Sequence, residues 1–344
     1  MNPLTMSMIM SSIAAGTVLT MSANHWLIAW VGLEINTLAI LPIIATEHHP
    51  RAMEATTKYF LIQAAASSTI MFSSTINALE TGQWDITQLT YPPATALLTI
   101  ALAMKLGLAP MHHWLPEVMQ GTKLKTALII ATWQKLAPMS LLYMTFNNLS
   151  TQILLPLALT STLLAGWSAL NQTQLRKIMA FSSIAHIGWM ISILPLAPTT
   201  SLIALAVYII MTTTMFSSLL TCTSKTIKDL GLMWTVSPLL CASSMLTLMS
   251  LAGLPPLSGF LPKWLILLEL VSQNLTATAT LMAMTSLLSL AFYTRLAYTT
   301  TLTIPPNQTT TKHNWRFKTT QTTIMPIILP MTALLLPLTP MISA

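Results

Sequence analysis

The amino-acid sequence predicts an all-α polytopic membrane protein with about eleven transmembrane helices. Three observations predict this class. Hydrophobic residues make up 53% of the 344 residues, charged residues make up only 7%, and the mean hydropathy is +0.68. Apolar runs of about 20 residues, the length that a helix needs to cross a bilayer, recur along the whole chain. Basic residues gather between every second pair of runs, as they do in the loops on one side of a membrane.

The apolar runs define the predicted spans. They cover residues 3–22, 25–45, 54–79, 93–120, 124–146, 152–170, 174–195, 199–223, 237–272, 275–300 and 324–342. Two of them differ from the others in length or composition. As one straight helix, 237–272 would be about 54 Å long, whereas a bilayer core is about 30 Å thick. The span 93–120 contains Pro110, after which too few residues follow to cross alone. We therefore expect each of these two spans to be broken.

Connections that carry Lys or Arg alternate with connections that carry neither. The basic connections hold Arg51 and Lys58, Lys123 and Lys125, Arg176 and Lys177, Lys225 and Lys228, and Arg295, Lys312, Arg316 and Lys318. The connections near Ala23, Asp85, Asn148, Pro198 and Asn274 hold no Lys or Arg. The pattern predicts that the N-terminus and the loop 301–323 lie on the basic side and that the C-terminus lies opposite.

The same interruption by Gly and Pro occurs twice, 146 residues apart. The two segments read GLAPMHHWLPE at 107–117 and GLPPLSGFLPK at 253–263. Pro removes a backbone hydrogen bond of the helix and leaves a carbonyl without its partner. Inside a membrane, such a carbonyl is tolerated only where it faces protein or water. Interrupted helices at corresponding positions are typical of internal repeats with ion sites near the breaks. Within a single membrane domain, 1–344, we expect half-repeats at 3–146 and 152–300, then the loop 301–323 and a helix at 324–342.

Five ionisable residues lie near the middle of predicted spans: Glu34, Lys105, Lys135, His186 and Lys263. Each costs about 2.5–3.5 kcal/mol at a helix centre, which is hard to explain by packing alone. Ammonium and carboxylate groups removed from water exchange protons closer to neutral pH than solvated ones do, and imidazole is a natural shuttle. We interpret the set as a proton path.

Other ionisable residues receive different interpretations. Glu34 and Lys105 are the only acid and base near mid-span in the first four helices, so we expect them to pair. His112, inside the first interruption, is a further candidate for the path. Lys58 and Glu117 lie nearer span ends, where a structural ion pair or a side chain reaching the surface is favoured. The loop residues His48 and His49 are interpreted as solvated.

Several classes of function are disfavoured. The only cysteines, Cys222 and Cys241, lack the spacing of a cluster or zinc site, so we expect no metal in this chain. The net charge of +7 comes from scattered residues that form no patch with aromatic residues, which disfavours nucleic acid as a partner. The sequence contains no phosphate-binding glycine loop, so we expect no bound nucleotide.

Three segments resemble the signature segments of one family. They are RKIMAFSSIAHIGWM at 176–190, HHWLPEVM at 112–119 and AGLPPLSGFLPKW at 252–264. They are similar to segments of the antiporter-like membrane subunits of respiratory complex I and of multisubunit cation/proton antiporters. The resemblance extends over the whole chain. It implies an antiporter-like fold of two inverted five-helix repeats, each with one discontinuous helix.

The resemblance also implies roles for the five ionisable residues. Glu34 would lie on the helix that faces a neighbouring subunit, and Lys105 would be its partner at the first break. Lys135 would be the central lysine, His186 the histidine of the second repeat, and Lys263 the lysine at the second break. The glutamate-bearing helix is only the second span here, so we expect the initial helices of the fuller family pattern to be missing.

The implied function is that of a core membrane subunit of a proton-translocating NADH:ubiquinone oxidoreductase in the mitochondrial inner membrane. The N-terminus would lie on the matrix side and the C-terminus on the intermembrane-space side. NADH, FMN, iron–sulfur clusters and ubiquinone would be bound by other subunits. The expected partners are other membrane-arm subunits of complex I and the lipid bilayer, including cardiolipin. A secondary Na⁺/H⁺ antiporter component and a passive scaffold are the alternatives.

Overall fold

The computed structural model describes residues 2–302, 325–334 and 336–338. Within these residues every regular element is helical, and β-structure is limited to isolated bridges such as His25 with Asp85. The prediction of an all-α chain is therefore confirmed for the described residues. Most of the loop predicted at 301–323 and parts of the helix predicted at 324–342 lie outside them.

The chain divides into two compact units. The first unit comprises Met1–Ser161 with Leu194–Pro198, and the second comprises Thr162–Ile193 with Thr199–Ala344. The division falls within helix α8 (Thr151–Ala169). The helices before it are α1 (Pro3–Met21), α2 (Trp26–Ile44), α3 (Pro50–Thr81), α4 (Pro92–Leu106), α5 (Trp114–Gly121), α6 (Leu124–Ala131) and α7 (Trp133–Thr145). Those after it are α9 (Leu175–Ile193), α10 (Pro198–Thr221), α11 (Ile227–Val236), α12 (Pro238–Ala252), α13 (Phe260–Ser272), α14 (Thr276–Leu302) and α15 (Met325–Leu334).

In the first unit, α7 and α3 bring the other helices together. Helix α3 packs against α2, α4 and α5, and α7 packs against α1, α2 and α4. Helices α1 and α2 approach so closely that a Cβ added to Gly16 would lie 2.9 Å from the carbonyl oxygen of Gly32. These contacts place α2, α4 and α7, which carry Glu34, Lys105 and Lys135, side by side.

In the second unit, α14 is the helix around which the others pack. It contacts α9, α11, α12 and α13, and α13 also contacts α9. Helix α9 carries His186 and α13 carries Lys263, so this packing brings the two residues into the same part of the second unit.

Both predicted breaks are present. Helix α4 ends before Gly107 and helix α12 ends before Gly253, and these glycines have φ values of 76° and 82°. This left-handed conformation is strained for residues with a Cβ, so Gly stops each helix at that point. In the first break, the N–H of Leu108 donates to the carbonyl of Ala103 at 2.9 Å, which completes the cap.

One predicted span contains a break that the sequence did not predict. The span 124–146 is divided into α6 and α7 at Thr132, which has φ −112° and ψ −70°. The Thr132 hydroxyl donates to the carbonyl of Leu128 at 2.7 Å, a bond of the type that bends helices. Pro138, one turn into α7, removes a further backbone donor. Lys135 therefore lies just after a bend.

The connection between the predicted spans 199–223 and 237–272 is partly helical, which the sequence did not predict. It contains α11, which begins with a capping box between Thr226 and Asp229. The side chain of Asp229 accepts from the backbone N–H of Thr226 at 2.8 Å and of Lys225 at 2.9 Å. The Thr-x-x-Asp pattern was the local signal for this helix.

By length and composition, five helices in the described part of the chain could each cross a membrane: α1, α2, α8, α10 and α14. Helices α4 and α12, which end at the two breaks, are shorter and apolar. The predicted span boundaries that lie within the described residues agree with the observed helices to within four residues.

Candidate functional site

The C-terminal end of α4 is the organising feature of the first unit. The last carbonyls of a helix have no partner within it, and in an apolar setting they must find partners elsewhere. At this end, side chains from three other helices supply the donors: Trp114 Nε1 to Met104 O at 3.1 Å, Gln63 Nε2 to Lys105 O at 3.4 Å, and Lys135 Nζ to Leu106 O. The break thus holds polar groups of α3, α5 and α7 against α4.

Lys135 caps the last carbonyl of α4. Its side chain is 3% exposed, and its Nζ lies 5.9 Å from the centre of the Trp114 ring. The negative end of the helix dipole and the face of an indole ring both stabilise a cation, whereas removal from water destabilises it. In the environment of Lys135, the helix end and the indole ring therefore favour the charged ammonium group, and burial disfavours it.

Lys105 lies on the last turn of α4 and is 4% exposed. Within the described part of the chain, its Nζ has no hydrogen-bond partner. The half-buried Glu34 is near enough for its charge to act on Lys105. However, no ion pair within 4.0 Å joins these two described residues. The predicted pairing is therefore an electrostatic interaction over more than 4.0 Å and not a salt bridge.

A small cavity of about 10 Å³, with room for about one water molecule, lies beside Lys105 and Lys135. Both lysines line it, together with five neutral polar side chains: Asn36, Thr37, Tyr59, Gln63 and Gln134. Gln134 Nε2 donates to Asn36 Oδ1 at 3.0 Å, and this bond ties α7 to α2. The cavity joins the two lysines in one polar environment.

In the second unit, Lys263 repeats the contact between a lysine and a helix end. Its Nζ donates to the carbonyl of Ala252, the last residue of α12, at 2.8 Å. A Cβ added to Gly253 would lie 2.9 Å from this Nζ and 3.0 Å from the Cδ of Lys263. Gly253 therefore ends the helix and also leaves the space that the lysine occupies.

His186 lies near Lys263 within the second unit. It is half-buried on α9, close enough for its charge to interact with that of Lys263, and its ring centre lies 5.5 Å from that of Tyr208. A titratable imidazole and an ammonium group thus share one apolar neighbourhood.

His112 and Lys58 have partners other than the lysine sites. His112 is 5% exposed inside the first break, 4.3 Å from the His113 ring, and its Nδ1 lies 3.3 Å from the carbonyl of Pro110. Lys58 contacts Glu117 at 2.7 Å and Glu54 at 2.5 Å, so the interpretation of Lys58 and Glu117 as an ion pair is confirmed.

Sequence reasoning missed the neutral polar residues of the cavity. Asn36, Thr37 and Gln63 are between 2% and 9% exposed, and each lies in a span that is otherwise largely apolar. A buried amide or hydroxyl costs free energy unless it is hydrogen-bonded. Amide and hydroxyl side chains within apolar spans therefore indicate a polar site, and the prediction considered charged residues only. Among the residues that the structure describes, no group of three or more His, Cys, Asp or Glu side chains could hold a metal ion.

Apolar helices of membrane-spanning length and two breaks, each with a lysine at the last carbonyl of the helix, are features of a polytopic membrane protein. Comparison with known proteins agrees. Residues 23–289 match the family model described as NADH:quinone oxidoreductase/Mrp antiporter, TM, and residues 290–343 match that of the NADH dehydrogenase subunit 2 C-terminus. The chain belongs to the NADH:quinone oxidoreductase/Mrp antiporter membrane family, and the resemblance predicted from the sequence is confirmed.

Individual relatives agree with this assignment. The chain is 56% identical to NADH-ubiquinone oxidoreductase chain 2 of Polypterus ornatipinnis over 342 residues, which cover 99% of each chain. A chain of respiratory complex I from Thermus thermophilus shares the fold, with a TM-score of 0.85, 24% identity, and coverage of 100% of this chain and 81% of that one. A chain of the Mrp complex from Dietzia sp. has a TM-score of 0.77 at 19% identity, covering 84% of this chain and 59% of that one.

Proposed function

We propose that this chain is a membrane subunit of a proton-translocating NADH:ubiquinone oxidoreductase and that it moves protons through its buried lysines. The observation that carries the proposal is the contact at each break, where a lysine Nζ donates to the last carbonyl of a helix. The 56% identity to a complex I subunit over 99% of both chains favours this function over that of an independent cation/proton antiporter.

The proposed path uses Glu34, Lys105 and Lys135 in the first unit and His186 and Lys263 in the second. A hydrogen bond to a charged group contributes about 1.5–3 kcal/mol. Moving one proton against 100 mV costs about 2.3 kcal/mol. Making or breaking one lysine–carbonyl contact therefore involves a free energy of the size needed to drive one proton across the membrane. His112 is a candidate for the entry or exit of this path.

We also propose that the two breaks belong to inverted repeats at 3–146 and 152–300 within one membrane domain. The shared Gly and Pro pattern supports this, as does the left-handed glycine that ends each interrupted helix. In this proposal, some of the eleven predicted spans each consist of two shorter consecutive helices. Examples are α4 with α5 and α12 with α13.

The proposed setting is the mitochondrial inner membrane, among other membrane-arm subunits of complex I and lipid that includes cardiolipin. The redox cofactors and ubiquinone would be bound by those other subunits. The similarity to NADH-ubiquinone oxidoreductase chain 2 and to a chain of the Thermus complex supports the assembly, and the apolar helices support the membrane location.

A direct test is the behaviour of the native chain in solubilised membranes. We expect it to migrate with NADH:quinone reductase activity in one large complex, and we expect proton flux to require NADH. Cation-dependent proton flux in the absence of NADH would support the antiporter alternative instead. Normal proton flux after neutral replacement of all five mid-span ionisable residues would support the scaffold.

Topology can be tested at the two ends of the predicted span 124–146. Lys125, in the first turn of α6, and Asn147, just after the span, are both exposed. In a chain whose native cysteines are replaced by Ser, we expect a membrane-impermeant thiol reagent to label Lys125→Cys from the matrix side and Asn147→Cys from the opposite side. The reverse pattern would contradict the proposed orientation, and labelling of both from one side would contradict a span at 124–146.

A further inference from the structure

Glu34 and Lys105 need an intermediary if they are to exchange a proton. They lie close enough to interact electrostatically but make no contact within 4.0 Å. Lys105 Nζ is buried, and it has no hydrogen-bond partner among the described residues. A buried ammonium group without an acceptor is strongly unfavourable, so its position points to a ligand such as water.

Thr37 is the side chain that reaches from Glu34 into the cavity. It lies one turn after Glu34 on α2, and its Oγ1 is 3.3 Å from Glu34 Oε2 and 2.9 Å from the Glu34 carbonyl oxygen. The same residue lines the cavity of about 10 Å³ that Lys105 also lines. Thr37 is 9% exposed, so little of the residue is accessible from outside the protein.

The cavity suits one water molecule and no larger ligand. About 10–15 Å³ is the minimum that holds a water, and a buried water needs two to four polar partners. Thr37, Lys105 and the hydrogen-bonded Asn36–Gln134 pair line this volume and carry the polar groups that such a water needs. The amide pair also links the helix of Glu34 to that of Lys135, which keeps the cavity walls in place.

We propose that Thr37 and one water molecule in this cavity connect Glu34 to Lys105 and carry the proton between them. The ammonium of Lys105 gives a proton to the water, the water gives one of its own to Thr37 Oγ1, and Thr37 gives its hydroxyl proton to Glu34 Oε2. Lys105 and Glu34 both end neutral, while the water and Thr37 are unchanged. The reverse sequence restores the two charges. Only O–H and N–H bonds form or break.

The inference rests on the proposed function. A valine substitution at Thr37 tests the Thr37 relay separately from that function. Thr37→Val keeps the branched shape and removes the hydroxyl. We expect NADH-driven proton translocation per assembled complex to fall about tenfold or more, since proton-transfer groups commonly contribute at least that much. Thr37→Ser, which retains a hydroxyl, should restore most of the rate.

The matched control is Thr99→Val on α4. Thr99 is also a buried threonine, 2% exposed, whose hydroxyl donates to the carbonyl three residues before it at 2.8 Å. Thr99 does not line the cavity. We expect Thr99→Val to translocate protons at the native rate. An equal loss in Thr99→Val, or failure of Thr37→Ser to restore the rate, would overturn the role of the Thr37 hydroxyl.

Lys105→Met distinguishes the inference from the function on which it rests. Loss of proton translocation in Lys105→Met with a native rate in Thr37→Val would overturn only the Thr37 relay. A native rate in Lys105→Met would remove Lys105 from the proposed path itself. A map of the native complex that resolves ordered water should show density within hydrogen-bonding distance of Thr37 Oγ1 and Lys105 Nζ, and an empty cavity there would overturn the proposal.

Discussion

Replacing Lys135 by Met is expected to stop proton movement through the first unit while leaving the complex assembled. Lys135 is 3% exposed and donates to the last carbonyl of α4. Methionine has a similar length but cannot hold a proton, and replacing a buried charge with an apolar group of similar volume is often tolerated. We expect NADH-driven proton translocation per assembled complex to fall by about 10²-fold or more, because a proton-transfer group commonly contributes about 10²–10⁴-fold.

Lys125→Met is the control for this substitution. It removes the same charge from an exposed side chain in the first turn of α6. Proton translocation and complex abundance should both stay near native values in that variant. Loss of assembly in Lys135→Met, with native translocation by the complex that remains, would show that Lys135 stabilises the fold and does not carry protons.

Replacing Gly253 by Ala is expected to uncouple Lys263 from its helix end. The added Cβ would lie 2.9 Å from Lys263 Nζ, and the flexible end of the lysine can move away more easily than backbone can. The left-handed backbone, with φ of 82°, adds about 1–2 kcal/mol of strain for a residue with a Cβ. We therefore expect a modest loss of stability together with a fall of about tenfold or more in translocation per assembled complex.

Gly82→Ala isolates the effect on the lysine. Gly82 ends α3 with φ of 71°, and an added Cβ there would meet nothing within 4 Å. This variant carries the same backbone strain without displacing a lysine. We expect a similar loss of thermal stability and native proton translocation. Equal losses of translocation in the two variants would mean that strain, and not the position of Lys263, is responsible.

The sequence predicted the two main breaks because their causes are local. Gly107 and Gly253 adopt the left-handed conformation that ends a helix, and the neighbouring prolines lack a backbone donor. Local chemistry of this kind can be read from a few residues. The length of 237–272 against the thickness of a bilayer gave an independent reason to expect the second break.

The bend at Thr132 could not be predicted in the same way. Threonine is compatible with a continuous helix, and its hydroxyl bond to Leu128 becomes visible only in three dimensions. Helix α11 was missed for a different reason. Its ten residues are too few to cross a bilayer, so a search for transmembrane spans passed over the capping box at Thr226.

The candidate site was predicted by residue type but not by geometry. A search for buried charge found Glu34, Lys105 and Lys135, since each is costly in an apolar span. It also predicted that Glu34 and Lys105 pair; their charges interact, but no salt bridge within 4.0 Å joins these two described residues. Whether two side chains touch depends on the spacing of α2 and α4, which no local pattern records. The carbonyl partners of Lys135 and Lys263 depend in the same way on where α4 and α12 end.

The most direct test of the central claim is the number of protons translocated per NADH oxidised by complexes that carry Lys135→Met and Lys263→Met together. The measurement compares membrane vesicles that contain equal amounts of assembled native and variant complex. If the two lysine sites carry protons, the variant should translocate fewer protons per NADH, or should oxidise NADH only at a strongly reduced rate. A native proton ratio at a native rate of NADH oxidation would contradict the claim.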